Sequence, residues 1–319
     1  MASHFITDIT QAIGNTPLLR LDRIKAQLGF TGAIFAKLEH LNPGFSKKDR
    51  IALGMIERAE SEGLLKPGQP VVEMTSGNTG IGAALVCSAK GYPFICVMSK
   101  GNSIERVKMV QALGGEVVRV DQMPDSKPGK VSGADLKLVE EEAQRIANEQ
   151  GAYYLDQFHN DANAQAQESG GDEMWEQSGG IIDVFADFLG TGGTFAGYAT
   201  ALKRHNPAIA CIAVEPHGCA WYTKEIIDGA SHSIQGGGYN QELEVVDPSL
   251  IDGTVTVNDE ESVAMTRLLA EKEGVFAGYS SGANLMAALK LLETDYAGTN
   301  IGIVINDCGL KYMSTTLFD

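Results

Sequence analysis

The sequence predicts an α/β protein made of two doubly wound domains with parallel-type sheets. Strand-like and helix-like segments alternate almost throughout, and glycine-rich turns separate many of them. The length of 319 residues is enough for two domains and a substantial core. Helices alternating with strands cover both faces of a parallel sheet, and two such units leave a cleft between them for a ligand.

Residues 33–39 form a short apolar run that reads as a strand. The turn Asn42-Pro43-Gly44 follows, with Ser46 as a candidate cap, and residues 49–62 carry apolar positions at helical spacing: Ile51, Leu53, Ile56 and Ala59. Strands are expected at 69–75, 94–98, 116–120 and 153–155. Helices are expected at 80–90, 103–113 and 135–150. The second half repeats the rhythm, with strands at 181–189, 210–215 and 301–306 and helices at 194–204, 260–273 and 282–293. The least regular parts are 124–132 and 217–252, long enough to suggest functional loops.

Charge and composition narrow the function. A formal net charge of −16 repels phosphate backbones and anionic membranes, so no nucleic acid or membrane partner is expected. No apolar run approaches the ~20 residues that span a bilayer, and the N-terminus lacks the basic and apolar parts of a signal peptide. The five cysteines are scattered without metal-ligand spacing, so no metal is expected and a reducing, cytoplasmic setting is. Cys87 and Cys96 fall in apolar patterns that suit buried structural thiols.

Four stretches could carry chemistry. Lys47 and Lys48 sit at the start of the 49–62 helix, where the helix dipole disfavours a positive charge. A lysine there gives up its proton more readily, and a neutral amine is what Schiff-base chemistry needs. A solvated Lys-Lys-Asp-Arg cluster would read the same way. Thr75-Ser76-Gly77-Asn78-Thr79-Gly80, between a strand and a helix, suits a carboxylate or phosphate, or it is a capped turn that binds nothing. Gly190-Thr191-Gly192-Gly193-Thr194 has the glycine density of a phosphate cradle. It lacks the P-loop lysine and the Gly-x-Gly-x-x-Gly spacing, so one phosphate monoester is favoured over a nucleotide. Gly278-Tyr279-Ser280-Ser281-Gly282 opens another helix, with either serine able to bond its free N–H groups. A lysine, a phosphate cradle and an anion-binding loop together suggest an aldehyde cofactor with one phosphate, a description that pyridoxal 5'-phosphate meets.

These four motifs, in this order and spacing, resemble those of the cysteine synthase (O-acetylserine sulfhydrylase) and cystathionine β-synthase family. Ile13-Gly14-Asn15-Thr16-Pro17-Leu18 and Tyr312-Met313-Ser314-Thr315 also match, so the resemblance covers nearly the whole chain. It implies fold type II, like the tryptophan synthase β subunit, and a homodimer. It also implies a smaller domain at 42–155, a larger cofactor-binding domain at 16–41 and 156–319, and an arm at 1–15. Position by position, it implies that Lys48 carries the cofactor and that Asn78 bonds the ring hydroxyl. The phosphate falls to Gly190, Thr191, Gly192, Gly193 and Thr194, and Ser280 faces the pyridine nitrogen. Thr75, Ser76, Thr79 and Gln157 are implied to hold the substrate α-carboxylate. Lys47 stands where the family often has an apolar residue. The activity implied is β-replacement of O-acetyl-L-serine by sulfide, giving L-cysteine and acetate through an aminoacrylate, and a serine acetyltransferase tail is a possible partner. The alternative is a β-lyase or β-synthase acting on cysteine or serine.

Three departures from that family stand out. Met74 replaces a proline, and Cys308 replaces a serine common near the ring nitrogen. Residues 234–242, Ile-Gln-Gly-Gly-Gly-Tyr-Asn-Gln-Glu, differ from the sulfhydrylase loop at the substrate cleft, with Gly238-Tyr239 closer to the cystathionine β-synthase pattern. Asn240 or Glu242 would bear on the leaving group if turned inward, although loop-tip residues of this kind more often face solvent.

Overall fold

The computed structural model of the chain describes residues 5–75, 77–126 and 133–319. In chain order the elements are β1 (Leu18–Arg20), α1 (Asp22–Leu28), β2 (Ala33–Lys37), α2 (Lys48–Ser61), β3 (Val71–Met74), α3 (Asn78–Lys90), β4 (Phe94–Ser99) and α4 (Ile104–Ala112). There follow β5 (Glu116–Val120), α5 (Gly133–Gln150), β6 (Tyr153–Tyr154), α6 (Ala162–Ser178), β7 (Val184–Phe188), α7 (Gly193–His205) and β8 (Ala210–Pro216). The chain closes with β9 (Cys219–Ala220), β10 (Glu225–Ile226), β11 (Gly253–Val257), α8 (Asp259–Leu268), α9 (Tyr279–Leu292) and β12 (Asn300–Val304).

Among the described residues the strands form a six-stranded sheet in the order β1-β2-β12-β7-β8-β11, a four-stranded sheet in the order β5-β4-β3-β6, and the hairpin β9-β10. The four-stranded sheet is parallel throughout. The larger sheet is parallel except at its edge, where β1 pairs antiparallel with β2. Alternate residues of one strand enter different cores. Ile212 and Val214 of β8 pack with α9, while Cys211 and Ala213 pack with α7. Likewise Phe94, Cys96 and Met98 of β4 face one layer, and Ile95 and Val97 face the other, against α5. Period-two alternation with both sides apolar marks strands buried between helical layers. Cys87 and Cys96 are buried free thiols, and burial pushes the Cys87 thiol up to about 12.

Several elements escape the sequence pattern. Helix α6 has no apolar stripe because its buried face is polar and glycine-rich: Asn163, Gln167, Gly170 and Gly171 are buried. A Cβ on Gly197 would lie 2.2 Å from the Ala164 carbonyl oxygen and one on Gly171 3.0 Å from the Tyr198 backbone, so α6 and α7 approach closely there, while Gly170 makes room for the Tyr198 hydroxyl. The region 217–252, expected to be irregular, holds β9 and β10, and β1, α1 and β11 also form. Of the expected loop 124–132, residues 127–132 lie outside the described residues.

Helix α2 is fixed by a buried ionic cluster. Arg50 reaches Glu39 through Nε and Nη2 at 2.8 and 2.9 Å, and Glu173 on α6 through Nη1 and Nη2 at 2.8 and 2.7 Å. Lys37 at the end of β2 reaches Glu173 at 2.6 Å. Burial opposes ionisation of Glu173, but Arg50 and Lys37 outweigh it and hold the carboxyl down at about 2. Its contribution to stability is therefore complete above the ordinary glutamate range and is lost as pH falls towards 2.

Removing the guanidinium leaves Glu39 and Glu173 without their main counter-ion. Arg50→Met should cost about 3–5 kcal/mol at neutral pH. The gap to the unsubstituted protein should narrow near pH 3.5, about one unit below the ordinary glutamate value, as both carboxyls take up protons. Urea unfolding at the two pH values measures this, and an equal gap at both would refute the electrostatic account.

Candidate active site

Parallel sheets place ligand-binding loops at the carboxyl ends of their strands, and here three such loops face one cleft. The segment after β3 brings Thr75, Asn78 and Thr79, the segment after β7 brings Gly190, Thr191, Gly192 and Thr194, and Asn306 follows β12. Lys48, Gln157 and Ser280 line the same cleft.

Lys48 is the first residue of α2 and Lys47, not Ser46, is its N-cap; Ser46 lies one residue earlier, where its Oγ accepts from the Lys48 N–H at 3.3 Å. The turn before it is tied to the C-terminal segment: the Lys47 N–H donates to the Asn306 carbonyl at 2.9 Å, and the Lys311 ammonium donates to the carbonyls of Gly44 and Phe45 at 3.0 and 3.1 Å. The Lys48 amine itself is loosely held, 3.3 Å from Thr191 Oγ1 and 3.5 Å from Gln157 Oε1. Burial first, and then the Lys47 charge, push its pKa down to about 7, against the opposing pull of Glu73 and Asp187. A large share of Lys48 is therefore neutral at physiological pH, as a nucleophilic amine requires.

The groups around it are already oriented. Gln157 donates to the Met74 carbonyl at 2.9 Å and accepts from Thr79 Oγ1 at 2.7 Å. Thr75 Oγ1 accepts from the N–H groups of Gly77 and Gly80 at 2.9 and 3.3 Å, so this hydroxyl shapes the loop. Ser76 lies outside the described residues. Asn78 is held at both ends of its amide: Lys311 donates to Oδ1 at 2.8 Å, and Nδ2 donates to Asp307 Oδ2 at 2.7 Å.

The loop after β7 has the features of an anion site. Thr194 Oγ1, at the start of the 13-residue helix α7, is buried and has no hydrogen-bond partner among the described residues. Gly192 has a φ of 89°, a conformation that favours glycine. Thr191 Oγ1 accepts from Asn163 Nδ2 at 2.9 Å. Gly193 packs against that same asparagine, where a Cβ would fall 1.9 Å from Asn163 Oδ1 and only glycine fits. An unpartnered hydroxyl at a helix N-terminus, beside a loosely held amine of lowered basicity, fits an aldehyde bearing one phosphate.

Ser280 and Ser281 do not cap their own helix. Gly278 is the N-cap, while Asn306 donates its side-chain NH₂ to Ser280 Oγ and its backbone N–H to Ser281 Oγ, both at 3.0 Å. Accepting from Asn306 leaves the Ser280 hydroxyl proton free to point into the cleft. Cys308 is buried, its N–H donating to the Phe45 carbonyl, and Asn306 rather than Cys308 touches Ser280. Asn240 and Glu242 are exposed, whereas Gln235, Gly236 and Tyr239 of that loop line the cleft. Sequence reasoning missed Asn163, Asp187 and Asn306, for which no motif gave a signal.

The family model for pyridoxal-phosphate dependent enzymes matches residues 9–307. A cysteine synthase of Staphylococcus aureus is 36% identical over 323 residues, covering 100% of this chain and 99% of that protein. The solved structure of an O-ureido-L-serine synthase aligns with a TM-score of 0.88 at 36% identity, covering 99% of this chain and 96% of that one. A hydrogen sulfide-producing enzyme from Fusobacterium nucleatum aligns with a TM-score of 0.88 at 36% identity, covering 97% and 100%. Among the described residues no helix is long and apolar enough to cross a membrane. With a fold of type II, a lysine amine in the cleft and these relatives along its full length, the chain belongs to the pyridoxal-phosphate dependent enzymes, in their β-replacement and lyase branch.

Proposed function

We propose that the protein replaces the acetate of O-acetyl-L-serine by sulfide, forming L-cysteine. The observation that carries this reading is the Lys48 amine, of lowered basicity and set between Gln157 and Thr191. Full-length similarity to a cysteine synthase supports it. When bound, pyridoxal phosphate supplies an aldehyde that captures the substrate amine and a ring that draws electrons from Cα. Lys48 would be the covalent anchor and, as a neutral amine, the base that takes the Cα proton. Gln157, Thr79 and the loop shaped by Thr75 orient the substrate carboxylate. Thr191, Gly192 and Thr194 would hold the phosphate, and Asn78, whose amide is fixed by Lys311 and Asp307, would bond the ring hydroxyl. Ser280 would meet the ring nitrogen with a neutral hydroxyl, which does not hold that nitrogen protonated as a carboxylate would. A weaker electron sink favours β-elimination and β-replacement over transamination. The family resemblance supports a cytoplasmic homodimer with domains at 42–155 and at 16–41 with 156–319, and a serine acetyltransferase tail as a further partner.

A second reading, breakdown of cysteine or another β-synthase reaction, is favoured by Tyr239 at the cleft, in a loop that departs from the sulfhydrylase pattern. The similarity to a hydrogen sulfide-producing enzyme supports it.

Three measurements test these assignments. Lys48→Ala should lower turnover of β-substituted alanines by at least about a hundredfold, as loss of a general base does, and normal turnover would remove Lys48 from the mechanism. Thr194→Val, nearly isosteric, should weaken cofactor retention about tenfold, the effect of one hydrogen bond to a charged group. Equilibrium dialysis reads this, and unchanged affinity would move the phosphate elsewhere. Finally, O-acetylserine, serine and cysteine can be compared as first substrates by rapid-scan absorbance with sulfide detection. The synthase reading expects O-acetylserine to react fastest, and it fails if cysteine alone reacts and releases sulfide.

A further inference from the structure

Two lysines one residue apart line the same cleft, and they are held in different ways. We propose that Asp187 decides which of the two reacts: it holds Lys47 as a buried ammonium and leaves Lys48 as the one of the pair open to an aldehyde. The proposal rests on the reading above that a phosphate-bearing aldehyde occupies the cleft.

The Lys47 ammonium donates to Asp187 Oδ2 at 2.8 Å, with the two side chains only 11% and 1% exposed. Asp187, on β7, is fixed in turn by Asn284, whose Nδ2 donates to Oδ1 at 2.8 Å. The Lys47 main chain is pinned as well, its carbonyl accepting from Gln167 Nε2 at 2.9 Å. Among the described residues Lys48 has no carboxylate partner: its amine lies by the neutral oxygens of Thr191 and Gln157, at 3.3 and 3.5 Å. Attack on a carbonyl carbon needs a nitrogen lone pair. The C–N bond forms, the carbonyl oxygen leaves as water, and no oxidant or reductant takes part. An ammonium has no lone pair to give. Without its counter-ion, a buried lysine favours the neutral form and becomes a second nucleophile.

Treatment with pyridoxal phosphate followed by borohydride, which adds hydride to the C=N bond and fixes the linkage, allows the modified lysine to be located by peptide fragmentation. The unsubstituted protein should be labelled on Lys48. Label on Lys47 instead would overturn both the Lys48 assignment and the proposal, and no label would overturn the aldehyde reading itself. Lys48→Ala should show only background labelling. Lys48→Ala/Asp187→Asn should gain label on Lys47 by at least about tenfold, as loss of a buried counter-ion allows. Lys48→Ala/Asp187→Glu, which keeps a carboxylate, should return to background. Equal labelling with and without Asp187, or labelling with Glu as strong as with Asn, would refute the selecting role. Should the asparagine variant fail to fold, Lys48→Ala/Asp187→Ala gives the same comparison.

Discussion

The cleft depends on how the first turn of α2 is held, because that turn carries the cleft amine of lowered basicity. The Arg50 guanidinium, two residues beyond Lys48, binds Glu39 and Glu173 and so fixes the helix to the larger sheet and to α6. Ahead of Lys48, the Lys311 ammonium spends its three donors on the Gly44 and Phe45 carbonyls and on Asn78. Both charges are buried, and burial lowers the Lys311 pKa to about 8. Buried ions of this kind contribute less to net stability than to geometry, since desolvation offsets much of their attraction. Here the geometry is the position of one nitrogen atom.

Helix α6 transmits that geometry further. Asn163 bonds Thr191 in the loop after β7, Gln167 bonds the Lys47 carbonyl, and Glu173 completes the Arg50 cluster. Three positions along one helix thus touch three parts of the cleft wall. The close approach of Gly170 and Gly171 to α7 is what brings those polar side chains within reach.

The fold was legible in the sequence wherever burial is apolar, as in the runs of β4 and β8, because hydrophobic periodicity reports only that kind of burial. It was silent for α6, whose inner face is amide and glycine. The loops that line the cleft were legible because glycine and hydroxyl residues at a strand–helix junction have few other uses. Their partners were not. Asp187 sits inside a strand, Asn306 just past one, and neither position carries a local signal. The reading of Ser280 or Ser281 as a helix cap failed for the same reason: a serine at a helix start looks like a cap until the competing donor, Asn306, is placed in space.

The loop at 234–238 lies directly on the loop after β7. A Cβ on Gly190 would fall 2.7 Å from the Gly236 carbonyl oxygen, one on Gly237 would fall 2.3 Å from the Leu189 carbonyl oxygen, and the Gly238 N–H donates to that same oxygen at 3.2 Å. Backbone rests on backbone, with no side chain between to absorb a change. These two segments of the cleft wall, one of them the proposed phosphate loop, are therefore a single mechanical part. Descent with new substrate preference has to work through residues such as Gln235 and Tyr239, at either side of this contact. A loop grafted from a relative would have to arrive together with its own partner strand end.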